Sequence, residues 1–278
     1  MTVNIIVALL LVLTYFSVYI SPEKTIAVAL LPFIYVGLTV LNLFFAIIWL
    51  IIKWKYSLIS FVTVLAGIKF ISLVFPFSTL FSTSDTSADF KIMSYNVMVF
   101  GFYNWDNNQQ IKNNIISSIE HENPDILCLQ EAYWNNSNQN FKTLTPIMQK
   151  LGAEDIHQVA MATAVGGQNF GLVTISKYPI INEYAQKFDK SFNGYIYSDI
   201  VINSDTVRVF NIHLQSIQLN QNDYTLIEEF TESDDNTKIK IVLKKYLSSL
   251  KTRAHQAEMV KLSIDSCNYP VFVCGDFN

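Results

Sequence analysis

The chain has 278 residues, of which 51 % are hydrophobic and only 15 % charged, with a formal net charge of −4. Ordinary soluble domains carry roughly a quarter charged residues, and no long Lys/Arg run occurs here, so a wide basic surface for nucleic acid is excluded while a local site is not. Three cysteines, Cys128, Cys267 and Cys274, make neither a disulfide framework nor a CxxC metal site; Cys128 and Cys274 lie in apolar runs and read as buried thiols.

The apolar excess sits in residues 1–77. Three uncharged or nearly uncharged runs, about residues 4–20, 25–52 and 57–77, approach or exceed the roughly 20 apolar residues that a bilayer crossing needs. They are expected to form three transmembrane helices that anchor the protein in a lipid bilayer. A cleaved signal peptide is disfavoured because Met1–Asn4 has no basic residue. Lys53 and Lys55 lie between the second and third runs, and positive loops stay in the cytoplasm. With three spans, the chain after Phe77 then faces out of the cytoplasm. Lys69 in the third run is read as snorkelling or facing the bundle.

Residues 78–89 are a Ser/Thr-rich linker, and residues 90–278 have the composition of a soluble domain. Phe90–Val97 alternates like a strand and includes Asn96 near its end. Asp106–Glu122 carries Ile111, Ile115 and Ile119 at helical spacing, with Asp106 and Gln109 placed for a capping box, and Pro124 stops the helix. Asp125–Glu131 is an apolar strand ending in a carboxylate, and a short helix around Phe141–Leu151 ends at Gly152. Gly171–Ile180 reads as a strand with a turn, followed by strands Tyr195–Ile202 and Thr206–Leu214, the last carrying His213. Asp223–Asn236 is polar and acidic and reads as a loop. Lys238–Ser266 is a long helix, with Leu243, Leu247, Leu250, Ala254 and Ala257 on one face. Val271–Cys274 is a further apolar strand, running into Asp276 and Asn278. Interleaved strands and helices imply a layered α/β sandwich.

Four strand-like segments end in polar residues of useful type: Asn96, Glu131, His213, and Asp276 with Asn278. Each has a plain reading by itself: Asn96 as a turn former, His213 as a core histidine, Asp276 and Asn278 as an Asx turn. Together they suggest strand ends that meet at one site. Carboxylate and amide oxygens, without a Cys or His cluster, suit Mg²⁺, Mn²⁺ or Ca²⁺ rather than zinc. A hard cation beside an Asp and a His suits phosphoryl chemistry.

Met93-Ser-Tyr-Asn-Val97, Asp125-Ile-Leu-Cys-Leu-Gln-Glu131, Gly171–Pro179, Asn211-Ile-His-Leu214 and Gly275-Asp-Phe-Asn278 resemble, in order, the motifs of the endonuclease/exonuclease/phosphatase superfamily. The resemblance covers about Phe90–Asn278. It implies a four-layer α/β sandwich and a Mg²⁺- or Mn²⁺-dependent phosphoesterase. It implies that Glu131 and Asn96 form the metal end of the site, that His213 hydrogen-bonds the scissile phosphate, and that Asp276 and Asn278 position the attacking water. The substrate is a phosphate ester (nucleic acid, phospholipid or inositol phosphate), and no protein partner is implied. Members of the superfamily continue into further strands and a late Ser-Asp-His motif, which this sequence lacks. The expectation is therefore a sandwich incomplete at its C-terminus, with little activity in this chain, or else a catalytically silent, membrane-tethered binding module.

Overall fold

The computed structural model describes residues 1–70, 90–103, 107–135, 141–189, 191–217 and 236–278. The expected linker, the loop over 223–235, Asp106 and residues 71–77 of the third apolar run lie outside the described residues. The chain divides into two compact units, Met1–Thr86 and Ser87–Asn278.

The first unit is helical: α1 (Thr2–Ser17), the single turn α2 (Ile26–Ala29) and α3 (Leu31–Ala66). Among the described residues the three expected spans are not three helices of membrane-crossing length. Among the described residues one helix, α3, is long and apolar enough to cross a membrane. The 16 residues of α1 rise only about 24 Å, short of the roughly 30 Å hydrocarbon core. The second and third apolar runs both fall within α3, which consists of two helical arms meeting at Lys53. The backbone leaves helical geometry within α3 at Lys53, with φ −151° and ψ 88°. Tyr15 donates to Thr63 O (3.0 Å), while its ring centre lies 6.1 Å from that of Tyr35. Along a straight helix Tyr35 and Thr63 would be roughly 42 Å apart. The chain therefore turns back at Lys53, and both arms of α3 lie against α1.

The second unit is a sandwich of two four-stranded sheets. Its strands are β1 (Ile92–Asn96), β2 (Ile126–Asn135), β3 (Asp155–Ala164), β4 (Gln168–Ser176), β5 (Ile180–Lys187), β6 (Gly194–Ile202), β7 (Asp205–His213) and β8 (Val271–Asp276). The sheet orders are β1-β2-β4-β3 and β5-β6-β7-β8. The pairs β1–β2 and β7–β8 are parallel and the others antiparallel. Its helices are α4 (Asn108–Glu122), α5 (Leu144–Leu151) and α6 (Asn236–Asp265).

Strand β2 shows why the layers form. Ile126 and Cys128 face the other sheet and pack with Ile200, Val207 and Val209. Leu127 and Leu129 point the opposite way, onto Ile116 and Ile119 of α4 and Ile147 of α5. Alternate residues thus bury both faces, which is why the segment is an apolar run rather than an alternating one. On the far side Phe210 and Ile212 of β7 pack against Val260 of α6. The result is helix, sheet, sheet, helix: the expected four-layer α/β sandwich. The face that α6 buries differs from the expected one, since Ser249, Gln256 and Val260 are buried and Leu243 is exposed. Gln256 is drawn in because its side-chain oxygen accepts from the backbone N–H of Gln215 (2.9 Å).

Candidate active site

The four polar strand ends come together at one end of the sandwich. Strand β2 reaches it through a bulge: Leu129 pairs with Val173 and Ala132 with Gly171, so Gln130 and Glu131 together oppose Leu172. Glu131 takes φ 51°, a left-handed conformation that side chains other than Gly rarely adopt. The bulge sends the two side chains different ways. Gln130 turns inward and is 1 % exposed; its amide donates to Asn211 Oδ1 (2.7 Å) and Ser94 Oγ (3.2 Å). Asn211 of β7 in turn donates to Leu129 O (3.1 Å) and Val173 O (2.9 Å). This buried amide pair links β7 to β2 and β4 across the interior, and it sits one residue before Glu131 and two before His213. The sequence reading gave neither residue a role; the available signal was a polar amide inside each of two apolar runs.

Asn96 at the end of β1 holds the carboxylates together. Its Nδ2 donates to Glu131 Oε1 (3.0 Å) and to Asp276 Oδ2 (2.8 Å), and its Oδ1 accepts from Met98 N (3.0 Å). Asn96 thus offers the two carboxylates its nitrogen. Asp276 lies beside His213 in the parallel register of β7 and β8, and Leu214 N donates to Asp276 O (2.9 Å). Gly275 permits this approach: its φ is +153°, and a Cβ there would lie 2.2 Å from Ile212 O. Asn278 donates from Nδ2 to Leu214 O (2.8 Å) and from its backbone to Asp276 Oδ1 (3.0 Å). The Asx turn and the shared site therefore coexist. His213 Nε2 is 3.7 Å from Glu131 Oε1. Burial pushes the His213 imidazole below its ordinary pKa, and the carboxylates of Glu131 and Asp276 pull it part of the way back.

Beside the carboxylates the chain turns through Met98, Val99 and Phe100, all at positive φ (44°, 57° and 54°). Left-handed geometry is costly for such residues, Val most of all, and strain of this kind clusters at functional sites. A cavity of about 470 Å³ opens here, with Glu131 and His213 on its wall beside Val99, Tyr103, Phe170 and Phe192. Trp134, the aromatic that follows Glu131 and Tyr133 on β2, is buried in the core and does not line the cavity.

Among the described residues no group of three or more His, Cys, Asp and Glu is placed to hold a metal. The donor set nevertheless fits a hard, partly hydrated cation. Mg²⁺ keeps several waters and needs only one or two protein carboxylates. Glu131 and Asp276 are tied to one amide nitrogen, and among the described residues neither has a Lys or Arg partner.

A family model described as the endonuclease/exonuclease/phosphatase family matches residues 93–278, and one described only as a domain of unknown function matches residues 1–77. Solved structures with a similar fold include SmcL, at 18 % identity and TM-score 0.46, with 68 % of this chain and 63 % of that chain covered. Sphingomyelinase C from Streptomyces griseocarneus matches at 17 % identity and TM-score 0.47, covering 68 % and 64 %. A variant of beta toxin from Staphylococcus aureus with bound magnesium ions matches at 19 % identity and TM-score 0.45, covering 69 % and 65 %. The chain thus spans less than two thirds of each of these proteins. No curated protein matches. With the family model spanning both sheets and all five candidate residues, the chain belongs to the endonuclease/exonuclease/phosphatase family.

Proposed function

We propose that the protein is a membrane-anchored, divalent-metal-dependent phosphoesterase whose site is formed by Asn96, Glu131, His213, Asp276 and Asn278. The observation that carries this reading is the pair of carboxylates, Glu131 and Asp276, bridged by Asn96 with no Lys or Arg partner among the described residues. Glu131 would hold Mg²⁺ or Mn²⁺ at the end of the site that Asn96 organises. Such an ion neutralises phosphate charge and exposes phosphorus to attack.

The protein groups divide the remaining work. Asp276 orients a water and takes its proton as the new oxygen–phosphorus bond forms. The ester bond opposite breaks, and the leaving oxygen is protonated from solvent. His213 donates an N–H to a non-bridging oxygen, where negative charge accumulates. Asn278 steadies Asp276 through its backbone N–H. Substrates of this chemistry are nucleic acid, phospholipid or inositol phosphate.

The test is hydrolysis of bis(p-nitrophenyl) phosphate by the full chain in Mg²⁺ and in EDTA, with Glu131→Ala beside it. EDTA and the substitution should each lower turnover by about 100-fold or more, and calorimetry should find one Mg²⁺ site that Glu131→Ala removes. Equal, metal-independent turnover in both proteins refutes the proposal.

The anchor is supported by α3, a 36-residue apolar helix. Lys53 and Lys55 at its bend favour a cytoplasmic bend and an extracytoplasmic catalytic unit. A reporter fused after Phe77 tests this; cytoplasmic reporter activity reverses the orientation.

A further inference from the structure

We propose that the cavity beside Glu131 and His213 is a subsite for the apolar part of a singly charged phosphodiester, the linkage of a phospholipid, with Phe192 and Tyr103 as its outer walls. The inference rests on the phosphoesterase reading of the site and narrows its substrate. Three observations carry it.

The first is charge. Among the described residues that line the cavity there is no Lys or Arg, and its carboxylate and imidazole are those of Glu131 and His213. A ligand with several phosphates needs cationic partners; here each added phosphate would face a carboxylate instead. One phosphate, met by a metal at Glu131, is what the site balances.

The second is the chemistry of the wall. Val99, Met161, Leu172 and Phe170 supply most of the wall as aliphatic and aromatic surface, beside the small polar side chains of Thr163, Asn193 and Ser216. At about 470 Å³ the cavity is of a size that encloses most of a small ligand.

The third is the rim. Phe192 is 74 % exposed and Tyr103 61 %, although both are large and apolar enough to prefer burial. Two apolar residues next in sequence to lining residues are exposed as well: Met98, before Val99, at 73 %, and Val165, after Ala164, at 95 %. Apolar groups gathered at the mouth of a cavity whose described lining has a carboxylate and no Lys or Arg suit an acyl or alkyl substituent, and they suit a polyanionic strand poorly. The same chain also carries an apolar helix of membrane-crossing length.

The experiment is calorimetric titration of the full chain in detergent and Mg²⁺ with three probes, each checked by ³¹P NMR to remain intact over the titration. These are dimethyl phosphate, dibutyl phosphate and a phosphorothioate thymidine trinucleotide. Dibutyl phosphate should bind at least tenfold more tightly than dimethyl phosphate, a difference of about 1.4 kcal/mol. Phe192→Ser and Tyr103→Ser should each erase that preference, and Phe192→Leu should keep it. Both side chains are largely exposed, so the variants should melt with the parent. Equal affinities, no binding of dibutyl phosphate, a preference that survives both Ser variants, or a trinucleotide that binds more tightly than dibutyl phosphate would each overturn the subsite. Because binding is read directly, a failure of catalysis leaves this result readable. A protein that hydrolyses bis(p-nitrophenyl) phosphate without any alkyl preference would refute the subsite alone.

Discussion

At the scale of single residues, buried polar groups set the terms of this site. Gln130 and Asn211 are almost fully buried, and between them they make hydrogen bonds to Ser94, Leu129, Val173 and each other. Leaving a buried polar group without a partner costs about 1–3 kcal/mol. Asn211→Leu strips Gln130 and two carbonyls at once, so it should lower unfolding free energy by about 3 kcal/mol in urea titrations and weaken Mg²⁺ binding at Glu131, the residue after Gln130. A loss below about 1 kcal/mol would mean that the pair carries no net stability. His157 of β3 is a buried histidine of a different kind, hydrogen-bonded to Ser198 Oγ (3.0 Å) and pushed down to about 4 by burial. Its folded value lies below the unfolded value near 6.5, so the folded state binds fewer protons. The stability it allows is complete above pH 6.5 and is lost as pH falls toward 4. The loss should be about 2 kcal/mol after allowance for partial solvent screening, and His157→Gln should unfold with a correspondingly flatter pH dependence over that window. Parallel curves for the two proteins would show that His157 contributes nothing to acid lability.

At the scale of elements, what places Asp276 is the close approach of β8 to β7 at Gly275. A Cβ at 2.2 Å from Ile212 O meets backbone, which cannot swing aside as a side chain could. Gly275→Ala should therefore shift Asp276 away from Asn96, lowering the melting temperature by several degrees and Mg²⁺ affinity with it; an unchanged affinity would show that β8 has slack. Six strands were legible in the sequence because β1, β2, β4, β6, β7 and β8 carry apolar runs or end in the site residues. The sheet edges β3 and β5 were not. β5 is exposed along nearly its whole length, so Ile180–Lys187 shows no apolar face to read. β3 buries His157 and Met161 on one face among exposed neighbours, too sparse a pattern to separate from loop. The site residues themselves were legible because they end apolar strands; the bulge that aims Glu131 was not, since a left-handed Glu has no signature in composition. The helical unit departs from expectation in length and not in where it turns: apolar runs record where a chain avoids water, and the break between the second and third runs does fall at Lys53, but among the described residues α1 has only 16 residues.

At the scale of the whole molecule, the first unit has its polarity reversed relative to a soluble bundle. Asn4 and Ser60 hydrogen-bond to each other in its interior (2.6 Å), and Asn42, fully buried, donates to Leu38 O (2.9 Å). Phe33, Phe44, Ile47 and Ile51 of α3 point outward, from 56 % to 81 % exposed. A water-soluble bundle buries such residues and exposes the amides; a lipid-facing bundle does the opposite, because hydrocarbon is a good solvent for Phe and Ile and a poor one for an unpaired amide. The two environments predict opposite signs for one substitution. In water, Phe44→Asp would replace an exposed aromatic with a carboxylate and raise solubility. In a bilayer the same carboxylate near the middle of a helix arm costs on the order of 3 kcal/mol on the insertion scale. The wild-type chain should stay with the membrane pellet after alkaline carbonate extraction, and Phe44→Asp should be released or degraded in part. A wild-type chain found in the supernatant, or a Phe44→Asp variant that is merely more soluble and otherwise unchanged, would show that some partner other than lipid covers this surface.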